Sequence, residues 1–140
     1  MRIQDLFVLI CTEKMLECRD FYVRHFGFAV EFESTIYTQV KVASETGGHF
    51  SIAFMPPSHP FGEAYRDIFS GRGAYLTIQV ADAAAVHERV VALGAPIVAD
   101  LRDEDWGQRH FITRDPNGTV VDVVQAIEPA AGYYDRYTLR

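Results

Sequence analysis

The sequence has few cysteines, no clustered basic residues and no long apolar run, and each shortage excludes a class of protein. Its two cysteines, Cys11 and Cys18, stand seven residues apart without a CxxC spacing. That suits a reduced compartment and ordinary apolar packing better than a disulfide framework or a redox pair. Lysine and arginine number 13 against 19 acidic residues, a net charge of −6, and nowhere do they gather into a patch. Nucleic acid and anionic membrane are therefore not expected partners, because both are held by clustered positive charge. No stretch approaches the roughly 18 apolar residues a membrane span needs. The opening MRIQDLFVLICTEKM has a short apolar stretch with charges on both sides, which reads as a first strand of a cytoplasmic protein rather than as a signal peptide.

What is present is an ordinary globular composition, 49% hydrophobic and 23% charged over 140 residues, enough for one compact domain or two small halves. Met15, Cys18, Tyr22 and Phe26 recur at helical spacing between Thr12, a candidate N-cap, and Gly27, a candidate left-handed C-cap, predicting a helix over 13–26. The same grammar returns with Asp82, then Val86, Val90 and Leu93, then Gly94, predicting a helix over 83–93. The two glycines are 67 residues apart. Strand-like runs precede the helices at 6–10 and 75–80, and others follow at 28–33, 37–43, 49–55, 96–99, 109–114 and 119–126. The chain thus reads as βαβββ twice, in modules 3–55 and 74–126 of one domain spanning 1–126.

Between the modules lies PPSHPFGEAYRDIFSGRG, residues 56–73, a long linker whose 62–69 portion is expected to form a short helix or a lid. After residue 126 the segment 127–140 loses strand periodicity but keeps Tyr133, Tyr134 and Tyr137, aromatics that dock on the domain or on a second subunit.

The second module ends in WGQRHFITRDPNGTVVDVVQ, where Asp122 interrupts a run of valines. An unpartnered buried carboxylate costs several kcal/mol, so Asp122 needs a partner, a metal, water or a proton. If Asp115-Pro116-Asn117-Gly118 is a four-residue hairpin turn, Arg114 pairs with Thr119 and Phe111 faces Asp122, with Arg109 on the diagonal. One sheet face would then carry Arg109, Phe111, Thr113, Val120, Asp122 and Val124, and His110 would face the helix. An Arg109–Asp122 pair is expected, as a structural contact, a polar ligand anchor, or both.

The doubled βαβββ pattern, with Phe21-Tyr22 before Gly27-Phe28 and Trp106-Gly107, Arg109, Phe111, Asp115-Pro116 and Gly118 near the end, resembles the vicinal oxygen chelate superfamily. That group holds glyoxalase I, extradiol dioxygenases, fosfomycin-resistance transferases and bleomycin-resistance proteins. The resemblance implies an α+β fold of tandem βαβββ modules whose mixed sheets curl into a cup. In its enzymes a divalent metal is held from the first and last strands of each module. Here those places fall on Phe7, Ala53, Tyr75 and Asp122, and none of His25, His49, His59, His87 and His110 falls on them.

With one possible ligand left, the expectation is no metal and no cofactor. The lining implied for the cup, Phe7, Leu9, Ser51, Ala53, Met55, Tyr75, Thr77 and Gln79 beside Arg109, Phe111 and Asp122, suits a hydrophobic or planar small molecule. Trp106 would either stack on such a ligand or plug the mouth of the cup. The leading expectation is a metal-free ligand-binding protein forming a homodimer, as relatives do. Two alternatives stand beside it. One is a lyase, isomerase or dioxygenase-like enzyme acting on a small oxygenated substrate, with or without a divalent metal; the other is a structural or regulatory interaction module.

Overall fold

The computed structural model describes residues 1–139. Its elements run β1 (Val8–Cys11), α1 (Met15–Phe26), β2 (Ala29–Glu33), β3 (Thr38–Ala43), β4 (His49–Met55), β5 (Tyr75–Gln79), α2 (Ala83–Ala92), β6 (Ile97–Glu104), β7 (Gln108–Arg114) and β8 (Val120–Ala126), with short 3-10 turns at Glu63–Tyr65 and Tyr133–Tyr137. The two four-stranded sheets have equivalent strand orders, β1-β4-β3-β2 and β5-β8-β7-β6. In each, the first strand lies parallel to the fourth and the other neighbours are antiparallel. This is the α+β, twice-βαβββ architecture. The chain divides into two compact units, Met1–Arg72 with Asp115–Gly118, and Gly73–Arg114 with Thr119–Arg140.

In the first unit, α1 buries Met15, Cys18, Phe21, Tyr22 and His25. Gly27 ends the helix at φ 71°, a backbone that L side chains resist, and its N–H reaches the Tyr22 carbonyl. The Tyr22 ring stacks on Phe54 of β4 at 5.9 Å and meets Phe28 edge-on at 5.6 Å, so Phe54 and its neighbour Ile10 face the helix while Leu9 and Ala53 face away. Thr12 lies short of the helix start. Its hydroxyl accepts the Lys14 N–H at 3.0 Å and donates to Asn117 Oδ1 at 2.7 Å.

The Asp115–Gly118 loop belongs to this unit because its polar groups are held there. Buried Tyr22 donates its hydroxyl to Asp115 Oδ2 at 2.8 Å, and Asn117 Nδ2 donates to the Phe69 carbonyl at 3.0 Å. Burial, and then the Asp115 charge, push the Tyr22 phenol pKa far up. Within the linker His59 is fully buried, its Nδ1 accepting the Phe61 N–H and its Nε2 donating to the Tyr65 carbonyl. That organises the Glu63–Tyr65 turn.

In the second unit Asp82 caps α2 by accepting the Ala85 N–H at 3.0 Å. Val121 and Val123 are fully buried on the α2 side of the sheet, and Phe111 joins them, meeting His87 of α2 edge-on at 5.0 Å.

The β7–β8 register differs from expectation by one residue: Arg114 pairs with Val120, Ile112 with Asp122 and His110 with Val124. Asn117 does not take positive φ; only Gly118 does, at 82°. Instead Asp115 Oδ1 accepts the Asn117 N–H and the Asp115 carbonyl accepts the Gly118 N–H, each at 2.9 Å. This Asx-type turn leaves Thr119 in the loop as well. Because side chains alternate across a sheet, a one-residue slip exchanges the faces of a whole strand. Phe111 and Thr113 therefore face α2, and His110 and Ile112 face away, the reverse of the sequence reading.

Candidate functional site

The face of the second sheet turned away from α2 is built from three strands whose pairing aligns their side chains. Tyr75 pairs with Val120, Thr77 with Asp122 and Gln79 with Val124, so these six share one face. From the other side of β8, β7 contributes His110 and Ile112. Bulges in β6 then place Arg102 opposite His110 and Glu104 opposite Gln108, which brings a carboxylate within reach of the imidazole.

Asp122 thus has a partner, and it is His110. The imidazole Nδ1 lies 2.8 Å from Asp122 Oδ1 and Nε2 lies 3.0 Å from Glu104 Oε1. Arg102 pairs with that Glu104 oxygen in turn. Ionised carboxylates only accept hydrogen bonds, so a ring flanked by two of them is satisfied at both nitrogens only as imidazolium. Burial of His110 works against the charged form, but the hydrogen bonds to Glu104 and Asp122 and their negative charges outweigh it, and the His110 pKa is raised above its ordinary value. The hydrogen bond to His110 leads in holding Glu104 below the usual carboxylate range.

Trp106 sits in the turn entering β7. Its ring meets His110 edge-on at 6.0 Å, and its Nε1–H donates to Gln108 Oε1 at 2.9 Å. Tyr75 and Trp106 are left substantially uncovered, at 71% and 37% exposure.

The expected site residues separate into three groups. Tyr75, Thr77 and Asp122 share the face, and Trp106 joins them through its contact with His110. Arg109 and Phe111 do not. Arg109 forms a two-pronged pair with Asp103, at 2.7 and 3.0 Å, in place of the expected bond to Asp122, and Phe111 is wholly buried against α2. Both corrections follow from the register slip. In the first unit Leu9 pairs with Ala53 on the face away from α1, while Phe7 precedes β1 and is partly exposed. His110 and Glu104 are the residues that sequence reasoning missed. The signal for His110 was present in the strand alternation but was read one position out.

The residues available for a divalent ion do not match the need. Phe7 and Ala53 carry no donor atom, and Glu104 and Asp122 sit on opposite nitrogens of one imidazole, so they do not converge on a common point. Among the described residues no group of three His, Cys, Asp or Glu side chains could hold a metal ion.

The family model for the Glyoxalase/Bleomycin resistance protein/Dioxygenase superfamily matches residues 6–123. The chain belongs to this superfamily. Among solved structures of the fold, a glyoxalase/bleomycin resistance protein/dioxygenase from Nocardioides is 15% identical with a TM-score of 0.73, covering 91% of this chain and 86% of its own. TioX from Micromonospora sp. ML1 is 21% identical with a TM-score of 0.63, covering 87% and 98%. TnmS3, an antibiotic binding protein from Streptomyces sp. CB03234, is 20% identical with a TM-score of 0.65, covering 90% and 98%. No curated protein matches the sequence. Among the described residues no helix is long and apolar enough to cross a membrane.

Proposed function

We propose that this superfamily member is a metal-free cytoplasmic protein that binds a planar or hydrophobic organic molecule on the Tyr75–Asp122–Trp106 face. The observation that carries the reading is the pair of exposed aromatic side chains, Tyr75 and Trp106, flanking a carboxylate held in place by His110. Aromatic surface left uncovered is area a flat ligand can bury. Thr77 and the second oxygen of Asp122 supply hydrogen-bonding groups that orient it. The structural neighbour TnmS3, an antibiotic binding protein, supports a binding role. The reading extends to a homodimer, supported by edge strand β2, whose residues are all exposed, including Val30 and Phe32.

Trp106 is the sole tryptophan, so its emission reports on the site directly. Titration with a panel of planar polycyclic aromatic compounds is expected to quench it saturably for at least one ring system and to raise the melting temperature. Trp106→Ala is expected to weaken that binding, followed by thermal shift, by about tenfold, the value of one stacking contact. No saturable quenching and no thermal shift across the panel would sink the proposal. EDTA is expected to leave both the melting temperature and the titration unchanged. A bound ion near one per chain whose removal lowers the melting temperature would overturn the metal-free reading.

One observation favours a second reading, an enzyme of the lyase, isomerase or dioxygenase-like kind acting on a small oxygenated substrate. Asp122 is a carboxylate oriented by His110 beside Thr77, and a carboxylate fixed in place is a side-chain type that can act as a general base when a substrate proton lies within hydrogen-bond reach. His110 itself cannot serve, since both ring nitrogens are engaged. Turnover lost in Asp122→Asn with ligand affinity retained would move this reading ahead.

A further inference from the structure

Within the second unit the C-terminal segment is tied to the turn that carries Trp106. Three consecutive carbonyls of that turn each accept one hydrogen bond from the segment. Asp105 O accepts from the Ala130 N–H at 2.9 Å, Trp106 O from the Tyr134 hydroxyl at 2.8 Å and Gly107 O from the Ile127 N–H at 3.0 Å. The fit is close. Gly107 has φ 99°, and a Cβ there would stand 2.9 Å from both the Ile127 carbonyl oxygen and Pro129 Cγ. Beyond the hook, Tyr133 meets Tyr134 edge-on at 5.0 Å, and the Arg136 guanidinium lies over the Tyr133 and Tyr137 rings at 5.5 and 5.4 Å. That cluster stiffens the short turn presenting Tyr134, although Tyr134 itself is half exposed.

We propose that residues 127–137 are a hook that sets the position of Trp106, and that Tyr134 is its positioning residue. The two backbone donors hold the flanks of the turn, whereas the bond to the Trp106 carbonyl comes from a side chain, the Tyr134 hydroxyl, and the Gly107 N–H of the same peptide closes the turn on the Glu104 carbonyl at 3.0 Å. Backbone hydrogen bonds of a turn open locally without global unfolding, so each tie governs how long the turn stays closed. Trp106 then has two anchors: its carbonyl is gripped by Tyr134 and its indole N–H by Gln108. A ring fixed before a ligand arrives loses less freedom on binding.

The experiment uses the full chain with Tyr134→Phe, which deletes one hydroxyl, and Ala130→Pro, which deletes one backbone donor. Acrylamide quenching and steady-state anisotropy of Trp106 are read without ligand. Loss of one hydrogen bond is expected to shift the closed-to-open ratio of the turn by about fivefold. Trp106 becomes more quenchable and less anisotropic while the melting temperature of Tyr134→Phe changes little. Unchanged quenching and anisotropy in Tyr134→Phe overturn the hook, including the case where only the melting temperature falls. Should Ala130→Pro fail to fold, Tyr134→Phe decides alone. A ligand arm, resting on the proposed function, repeats the polycyclic titration: weaker binding in Tyr134→Phe supports hook and binding face together. Looser Trp106 with unaltered affinity supports the hook and counts against Trp106 as a wall of the binding face.

Discussion

Replacing Gly71 with alanine is expected to lower the melting temperature by roughly 10 °C, the largest loss from a single methyl group anticipated here. Gly71 is buried with φ 75°, and a Cβ there would stand 2.7 Å from Gly118 C, 2.8 Å from Gly118 O and 3.0 Å from Asn117 O. All three are backbone atoms, which cannot rotate aside as a side chain would. Left-handed strain costs about 1–2 kcal/mol and overpacking typically a further 1–3 kcal/mol, together about 3 kcal/mol. Gly73 provides the control. Its φ of 79° is similar, but nothing lies within 4 Å of its would-be Cβ, so Gly73→Ala should show the strain alone. Equal melting temperatures for the two variants would show that the approach of Gly71 to the Asp115–Gly118 loop is not a tight one.

The second large effect is a loss of stability at alkaline pH that depends on His110. Its pKa in the folded protein is raised above the ordinary value near 6.5, so the folded state holds the proton more tightly than the unfolded chain does. The contribution is complete below about 6.5 and disappears as pH rises through the raised value. Past that point a ring nitrogen turns a lone pair toward Glu104 or Asp122, the two carboxylates that face it. His25 acts in the opposite sense. Burial, and then the Arg24 charge, lower its pKa, so its contribution is present above about 6.5 and is lost as pH falls through the lowered value. Melting temperature against pH should therefore fall on both sides of neutrality. His110→Gln is expected to lower stability near neutral pH, flatten the alkaline side and leave the acid side in place. An alkaline fall of the same size in His110→Gln would refute the imidazolium assignment.

Much of the fold was readable because its determinants are local. The stripe Met15, Cys18 and Tyr22 packs inward, Gly27 and Gly94 take positive φ at 71° and 81°, and Asp82 caps α2. The site was only half readable. The β8 side faces as expected, with Asp122 away from α2 and Val121 and Val123 toward it, since alternation along one strand needs no partner. The β7 side came out reversed, because alternation there had to be transferred across a loop whose length was taken one residue too short. Glu104 was out of reach for a related reason. The strand containing it was expected only over 96–99, whereas β6 runs to Glu104, and its bulges decide which side chains reach His110.

By itself the sequence determined the twice-repeated βαβββ order, the glycines that end both helices, the Asp82 cap of α2 and the superfamily, since these depend on periodicity, caps and glycines acting within a few residues of one another. Only the tertiary structure decided the partner of Asp122. An isolated Asp-Pro-Asn-Gly can close a hairpin in more than one register. Here the Tyr22 hydroxyl holds Asp115, while the Thr12 hydroxyl and the Phe69 carbonyl hold the Asn117 side chain, residues 48 to 105 positions away in the chain. With those groups bound, the loop takes the form that includes Thr119 and β7 shifts by one residue. His110 rather than Arg109 then faces the carboxylate, and the same valine-rich strand gains a fixed polar group on its side away from α2.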